Sequence, residues 1–359
     1  MATLSIHPDR ILGNIKKLNE FLIPKGIQWT LVTKILNGYK PVLERILCDP
    51  MIKKIHSVGD SRISNLKAIR EVKPDLVTIY IKPPAITQVK NIVEYADISL
   101  NTSYKTIEEI NKEAGRRGKK HRIIVMIEMG ELREGVVRDN ILKFYEKIFK
   151  MKNINVIGIG TNLGCMYGVE PTYDKLIQLS LYKQLIDTQF DVKLDLVSSG
   201  SSITLPLITM NKLPKGINHF RIGEAAFLGL SPYDGKKFKN LSTNAFTFSA
   251  DIVELEKKEV VPGGNIGDGA VGDAVDFSDT NYDESYRAIV DFGELDVDYK
   301  NLNSKDDNLK FVGTTSDMTV YDLGQKSGKY KVGNQLHFSP NYMAVARLSN
   351  SKYMRKEIL

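Results

Sequence analysis

The chain has 359 residues, of which 42% are hydrophobic and 26% are charged, so it is long enough to bury a large core and to form two domains. Its net charge of +7 is spread along the sequence and is not interleaved with aromatic residues, which argues against nucleic-acid binding. The N-terminus lacks the pattern of a signal peptide and no apolar stretch approaches about eighteen residues, so we expect a cytoplasmic protein without a membrane segment.

The first two thirds of the sequence alternate short β-rich segments with segments of helical periodicity. In residues 64–71 and 106–114, apolar residues recur at helical spacing, and acids and bases occupy the other face. Eight strands that are each followed by a helix favour parallel pairing, and an α/β fold of the (β/α)8 TIM barrel type is the simplest architecture for them. The predicted strands span residues 28–34, 54–61, 76–82, 95–101, 121–128, 154–162, 194–200 and 219–225.

The character of the sequence changes after about residue 235, where glycines crowd together and β-like segments follow one another without helices. We therefore predict two domains, a barrel over residues 1–235 and a C-terminal all-β domain over residues 236–359. Residues 276–285 and 300–308 are predicted to be loops. The predicted strands of the second domain span residues 246–254, 286–292, 318–323, 335–338 and 342–348.

Lys34 ends the first predicted strand and precedes a turn that contains Gly38. A lysine in this position can have a partly desolvated amine, which suits it for covalent chemistry on a carbonyl group. Considered alone, it is better interpreted as a solvated residue at a strand end. Active-site residues of barrels collect at the C-terminal ends of the strands. Other polar residues at those ends would therefore favour a reactive Lys34.

Polar residues follow most of the predicted strands at that end. The serine- and glycine-rich segment 198–202 and the segment 221–224 lie at the ends of the last two strands, where barrels commonly bind a phosphate through backbone N–H groups. A phosphate site there and an amine-reactive Lys34 match the two ends of pyridoxal 5'-phosphate. The other polar residues at strand ends include Asp60, Asn101, Glu128, Glu131, Arg133 and Asn162.

Taken together, these segments resemble the fold-type III pyridoxal-phosphate enzymes of the alanine racemase family, and most closely its ornithine racemase-type branch. The resemblance runs nearly from end to end. Each segment is short, but their order and spacing are specific. The matching segments are Val32–Lys34, Asp60–Leu66, Ala96–Asn101, Gly130–Gly135, Gly158–Leu163, Lys212–Asn218 and Arg221–Glu224.

The resemblance implies a role for each matched residue. Lys34 would bind the cofactor covalently and act as one acid/base. Arg221 would face the pyridine nitrogen and keep it unprotonated, because a guanidinium does not give up its proton. Arg133 would contact the cofactor's phenolic oxygen and the substrate carboxylate. Asn162 would flank the ring, and the phosphate would be held by Ser201, Ser202, Gly223 and Glu224.

The resemblance also implies a homodimer with shared active sites, in which a tyrosine from the neighbouring β domain is the second acid/base. The segment expected to carry this tyrosine, residues 267–272, has Val271 instead. Tyr282 is our candidate for the role. Tyr286, Cys165 and Tyr167 remain alternatives, and the departure leaves open whether two bases act.

The predicted function is therefore a pyridoxal-phosphate-dependent racemase of ornithine or another basic amino acid. Acidic residues of the second domain would bind the distal ammonium, since a buried ammonium without a partner is costly; the candidates are Asp296, Asp298 and Asp317. A racemase for a different amino acid, such as alanine, and a non-catalytic carrier of the cofactor are the alternatives. A metal-dependent aldolase or a decarboxylase would need a cysteine after residue 235, and Cys48 and Cys165 are the two cysteines of the chain, so we expect no metal.

Overall fold

The structure is a computed structural model that describes residues 1–265, 272–275 and 282–359. Contacts divide the chain into two compact units, residues 9–243 and residues 1–8 with 244–359. The predicted boundary at 235/236 differs from this division. The first eight residues join the second unit because strand β1 (Thr3–Ile6) pairs with residues 246–249, and no local sequence pattern encodes a pairing over such a distance.

The unit formed by residues 9–243 is a closed parallel barrel. Eight strands are hydrogen-bonded in sequence order, and the last of them pairs with the first, which confirms the predicted (β/α)8 fold. All eight lie where the sequence predicts them, with ends that differ by a few residues. The strands are β2 (Gln28–Val32), β3 (Ser57–Asp60), β4 (Thr78–Tyr80), β5 (Ile98–Asn101), β6 (His121–Met126), β7 (Ile154–Gly160), β8 (Leu196–Ser201) and β9 (His219–Ile222).

Helices precede, connect and follow the barrel strands, and several of them are amphipathic. In helix α5 the buried residues Ile107, Ile110 and Ala114 recur at intervals of three and four, so one face packs inward. Within the described part of the chain, no helix has the length and hydropathy needed to cross a membrane. The helices are α1 (Pro8–Leu22), α2 (Lys40–Leu47), α3 (Ile63–Val72), α4 (Val89–Tyr95), α5 (Tyr104–Arg116), α6 (Ile141–Phe149), α7 (Tyr173–Phe190), α8 (Leu205–Thr209) and α9 (Glu224–Leu228).

The alternation of side chains along β2 decides which residues reach the barrel interior. Trp29 is buried and donates its indole N–H to Asn19 of α1 at 2.8 Å, so it faces the helices. Thr30, the next residue, therefore faces the interior. Its hydroxyl lies 2.7 Å from the hydroxyl of Ser57 and 3.1 Å from Nε2 of His219. The barrel thus contains a buried polar layer.

The second unit is a mostly antiparallel sheet, as the sequence predicts. The strand order is β12–β15–β10–β11–β14–β13, and β1 joins it antiparallel to β10 and parallel to β16. Its core contains Phe248, Phe292 and Phe338, whose ring centroids are 5.2 to 5.9 Å apart. The strands are β10 (Phe246–Glu259), β11 (Glu284–Val290), β12 (Leu302–Ser304), β13 (Lys310–Thr314), β14 (Thr319–Asp322), β15 (Gln335–Pro340) and β16 (Arg355–Ile358).

One predicted strand of this unit, residues 342–348, is wrong, because these residues lie in helix α10 (Tyr342–Asn350). The side chain of Asn341 accepts hydrogen bonds from the backbone N–H groups of Met343 and Ala344 at 2.9 and 3.1 Å. Such a cap satisfies N–H groups of the first turn that have no partner within the helix. Local capping therefore overrides the β-like composition of the segment.

The predicted loops of this unit are only partly correct. Residues 300–308 contain strand β12, which is short and is stabilised by its pairing with β15. For the predicted loop 276–285, residues 276–281 lie outside the described part of the chain, and its last two residues begin β11.

Candidate active site

Lys34 begins a short 3-10 turn, Lys34–Leu36, two residues after the end of β2, and its side chain is exposed. The turn continues into Asn37 and Gly38, which both have a left-handed backbone, with φ of 48° and 73°. A Cβ atom at Gly38 would lie only 2.9 Å from Oδ1 of Asn65. Glycine is therefore required there by torsion and by space, and the turn presents Lys34 at the C-terminal end of the barrel.

The buried carboxylate of Asp60, at the end of β3, stabilises the region beside this turn. It accepts hydrogen bonds from the backbone N–H of Arg62 at 2.9 Å and from the amide of Asn65 at 3.1 Å. Burial raises the pKa of Asp60, and these hydrogen bonds and the charge of Lys34 partly offset the rise. The amine of Lys34 therefore lies within electrostatic reach of Asp60.

Arg221, on β9, is buried, with 7% of its surface exposed. Its two Nη groups donate to the carbonyl and hydroxyl oxygens of Ser198 at 2.7 and 2.6 Å, to the carbonyl of Thr161 at 2.8 Å and to Oδ1 of Asn162 at 2.6 Å. Its Nε–H has no acceptor among the described residues. Burial lowers the pKa of Arg221 to about 10, so the guanidinium stays charged at neutral pH.

The polar layer of the barrel supports this arginine from the interior. The hydroxyl of Ser198 lies 2.8 Å from Nδ1 of His219, and Nε2 of His219 contacts Thr30. Burial lowers the pKa of His219 well below its ordinary value. The ring is therefore neutral and donates through one nitrogen while it accepts through the other. Ser198 is held between His219 and Arg221.

The loops after β8 and β9 meet at the same end of the barrel. The hydroxyl of Ser202 accepts a hydrogen bond from the backbone N–H of Ala225 at 3.1 Å, and Gly223 precedes the first turn of α9. Burial raises the pKa of Glu224, and the charge of Lys34 partly offsets that rise. The structure thus brings the loops that contain the four predicted phosphate contacts close to each other and brings Lys34 near one of them.

Arg133 lies in the loop after β6, where it forms a two-point ion pair with Glu134. Its Nη2 is 2.6 Å from Oε1 of Glu134, and its Nε contacts Oε2. Its Nη1 is 2.6 Å from Sγ of Cys165. Oε1 of Glu134 also accepts a hydrogen bond from the amide of Asn162. Oδ1 of the same Asn162 accepts one from Arg221. One carboxylate that the sequence analysis did not single out therefore connects three predicted site residues.

A second carboxylate, that of buried Glu131, holds the loop that carries two alternative acid/base candidates. It accepts hydrogen bonds from the backbone N–H groups of Cys165 at 3.0 Å, Tyr167 at 3.0 Å and Val169 at 2.9 Å. Burial by itself raises the pKa of Glu131, but the N–H groups outweigh it and lower the pKa below its ordinary value. Glu131 is therefore a buried anion that fixes this loop.

Tyr282 lies in the second unit, beside a buried ion pair. Its hydroxyl is 3.4 Å from Oδ2 of Asp322, and Oδ2 of Asp322 is 3.4 Å from Nη1 of Arg287. Burial raises the pKa of Tyr282, and the charge of Asp322 adds to the rise. Tyr282 therefore holds its proton firmly. Residues 267–271, which include Val271, lie outside the described part of the chain.

The three acidic candidates for the distal ammonium all take part in local turns of the second unit. Asp298 accepts from the backbone N–H of Lys300 at 2.9 Å, and Asp296 accepts from that of Gly293 at 3.4 Å. Asp317 accepts from the hydroxyl of Ser316 at 3.2 Å. Each of the three aspartates therefore has the local contacts that are typical of residues in turns.

Comparisons with known proteins identify the family and several relatives. Residues 6–232 match the family described as alanine racemase, N-terminal domain. The chain is 35% identical over 315 residues to the ornithine racemase of Acetoanaerobium sticklandii, covering 86% of this chain and 88% of that protein. It is 30% identical over 356 residues to the lysine racemase of Thermotoga maritima, covering 98% and 97%.

Solved structures are similar in fold. The alanine racemase of Clostridium difficile superposes with a TM-score of 0.76 at 16% identity, covering 100% of this chain and 95% of that one. The alanine racemase of Acinetobacter baumannii superposes with a TM-score of 0.70 at 16% identity, covering 100% and 99%. The predicted resemblance is confirmed.

Proposed function

The chain belongs to the alanine racemase family, and on this premise we propose that it interconverts the L and D forms of ornithine or another basic amino acid with pyridoxal 5'-phosphate as its cofactor. That it is an amino-acid racemase follows from the family and from its near-full-length similarity to two racemases. The names of those relatives, an ornithine and a lysine racemase, support the basic substrate.

The observation that carries the cofactor assignment is the buried Arg221, whose Nη groups are fully engaged while its Nε–H has no acceptor among the described residues. The one remaining donor, the Nε–H of Arg221, fits a pyridine nitrogen, which accepts one hydrogen bond. Lys34 would hold the aldehyde of the cofactor, and Asn162 would flank its ring. Ser201, Ser202, Gly223 and Glu224 would hold the phosphate, the last two through backbone N–H groups.

When bound, the cofactor withdraws electrons from Cα of the substrate and so lowers the barrier to removal of the α-proton. Arg221 stays protonated and leaves the ring nitrogen without a proton, which restrains this electron withdrawal and favours return of the proton to Cα. Arg133 orients the substrate through its carboxylate, for which a planar guanidinium is well suited.

Lys34 takes the α-proton on one face of the substrate. On the opposite face we assign proton delivery to Tyr282, contributed by the second protomer of a homodimer. Its hydroxyl carries a proton that it can donate, and its raised pKa makes it a weaker acid than an ordinary tyrosine. In the reverse direction the two groups exchange roles.

One experiment tests the reaction and the cofactor together. Purified protein with pyridoxal phosphate is treated with borohydride, and mass spectrometry should find the added group on Lys34. L-Ornithine, L-lysine and L-alanine are then incubated in D2O. We expect α-proton exchange by NMR and the D form by chiral chromatography, fastest for the two basic substrates. Lys34→Ala should lose the adduct and the exchange.

The outcomes separate the alternatives. Cofactor binding without α-proton exchange in any amino acid would favour a carrier, and exchange without inversion would show that a second acid/base is missing. Faster racemisation of alanine than of ornithine or lysine would overturn the substrate assignment.

We also propose that the protein is a cytoplasmic homodimer without nucleic-acid or membrane partners. Cys48 and Cys165 are both free and exposed, which fits a reducing compartment. Light scattering on the holoenzyme should give about twice the chain mass of 40.4 kDa. A fully active monomer would contradict the shared active site.

A further inference from the structure

The carboxylates in the loop after β6 differ in what they bind. Oε1 of Glu128 accepts from the backbone N–H groups of Gly130 and Leu132 at 2.6 and 3.0 Å, and Glu131 binds the backbone of the loop 165–169. Glu134 instead binds side chains, those of Arg133 and Asn162. With 12% of its side chain exposed, it is largely shielded from solvent. Its contacts therefore organise functional groups instead of backbone.

We propose that Glu134 is a positioning residue that holds Arg133 in the orientation in which it binds the substrate's α-carboxylate, and that connects this arginine through Asn162 to Arg221. The inference rests on the proposed function and goes one step beyond it, because it assigns the arrangement of the substrate-binding arginine to a particular carboxylate.

The hydrogen-bond inventory of Arg133 supports this assignment. A guanidinium has five N–H donors in one plane. Glu134 occupies Nε–H and one hydrogen of Nη2, and Cys165 lies against Nη1. One hydrogen remains on each Nη nitrogen for a substrate carboxylate. Glu134 therefore fixes the plane of the guanidinium while it leaves donors of both Nη groups for the substrate.

Electrostatics supports the same role. Burial is the main cause of the lowered pKa of Arg221; the charge of Glu134 counteracts it, and the charge of Arg133 reinforces it. Glu134 thus reduces the repulsion between two guanidinium groups at one site. Without this carboxylate, the side chain of Arg133, which is 36% exposed, would be drawn towards solvent and away from Arg221.

Glu134→Gln in the holoenzyme is the direct test, because it keeps one oxygen for Asn162 and removes the charge and the second oxygen that orient Arg133. Two ligands test whether Glu134 acts on the binding of the substrate's α-carboxylate. They are L-ornithine, and 1,4-diaminobutane, which has the same two amines but no α-carboxylate. We expect the KM for L-ornithine to rise at least about tenfold, or about 1.4 kcal/mol. The Kd of 1,4-diaminobutane, from the absorbance of the bound cofactor, should change less than about twofold.

Glu146→Gln is the matched control. Glu146 lies on α6, is exposed and pairs with Lys150 at 2.8 Å, so the same chemical change should leave both ligands unaffected. An equal loss for the two ligands in Glu134→Gln would overturn the proposal, because it would indicate general damage to the site. An unchanged KM for L-ornithine would overturn it as well.

A double-mutant cycle gives an independent test. If Glu134 acts through Arg133, then adding Glu134→Gln to Arg133→Lys should raise the KM for L-ornithine less than about twofold further. Fully additive losses would contradict the proposal. If Glu134→Gln fails to fold, Glu134→Asp replaces it with the same expectations, because the shorter side chain keeps the charge but cannot make both contacts.

Failure of the proposed function is distinguishable from failure of this inference. A wild-type protein that neither binds pyridoxal phosphate nor racemises an amino acid would refute the function, and this inference with it. An active wild-type enzyme whose Glu134 variants behave like Glu146→Gln would refute only the role of Glu134.

Discussion

Replacement of Glu131 by glutamine tests how the loop 165–169 is held. In the wild type, the carboxylate accepts from three backbone N–H groups at 2.9 to 3.0 Å. A glutamine in the same place keeps one acceptor oxygen, for Cys165 and Val169, and turns its NH2 group towards the N–H of Tyr167. Two charge-assisted hydrogen bonds become neutral ones, and the partly buried N–H of Tyr167 loses its partner.

The size of the effect follows from these contacts. A hydrogen bond to a charged group contributes about 1 kcal/mol more than a neutral one, and a buried unsatisfied donor costs about 1–3 kcal/mol. The smaller desolvation of a neutral amide offsets part of the loss. We expect Glu131→Gln to reduce the free energy of unfolding by about 2–4 kcal/mol, which for a unit of this size corresponds to a Tm lower by about 5–10 °C.

Two measurements check this prediction. Thermal unfolding gives the Tm, and labelling of Cys165 by a thiol reagent in a Cys48→Ser background reports on the loop itself. We expect Cys165 to be labelled several times faster in Glu131→Gln, and unchanged in the Glu146→Gln control. A Tm within about 1 °C of the wild type and an unchanged labelling rate would refute the reasoning that this carboxylate fixes the loop.

Three further predictions concern other parts of the chain. Ser198→Ala removes a hydrogen bond from Arg221 and one from His219, so we expect a loss of about 2–4 kcal/mol in unfolding free energy by urea titration and weaker binding of pyridoxal phosphate in a spectroscopic titration. Burial lowers the pKa of His121 to about 4. As the pH falls, His121 therefore takes up a proton at a higher pH in the unfolded state than in the folded state. Its contribution to stability is lost as the pH falls from about 6.5 to about 4. Unfolding of wild type and His121→Gln over this range should show a difference of about 3 kcal/mol in their pH dependence, and parallel curves would contradict the assignment. Asn341→Ala should lower the unfolding free energy by about 1 kcal/mol through loss of the α10 cap, whereas Asn341→Asp, which keeps the accepting oxygen, should leave it nearly unchanged.

The barrel was predictable because its signals are local. Each strand is a short apolar segment followed by a helical segment, so the pattern can be read without knowledge of what the strand pairs with. The strands that were missed, β1, β12, β13 and β16, are short, with three to five residues each. Three of them, β1, β12 and β16, are stabilised by partners distant in the sequence, as when β1 pairs with both β10 and β16. Helix α10 was missed for a different reason, since its apolar residues have β-like composition, while the cap from Asn341 and the packing of its buried face favour the helix.

In the candidate site, too, some features were predictable from the sequence and others were not. Lys34, Arg133, Asn162 and Arg221 could be singled out from the sequence because each lies in or just after a predicted strand, in a segment that resembles a known family. The contacts that support them could not be predicted. Glu131, Glu134 and Ser198 act on groups that are 34, 28 and 23 positions away along the chain, and such contacts exist only after the strands close into a barrel.

The sequence by itself determined the type of fold, the end of the barrel where the polar residues collect, and the residue types available for chemistry, because periodicity and strand order are properties of neighbouring residues. Only the tertiary structure decided which carboxylate meets which cation. Burial removes the water that would otherwise solvate these charges, so each buried group must find a partner within hydrogen-bond distance. Which partner it finds depends on how distant segments pack against each other.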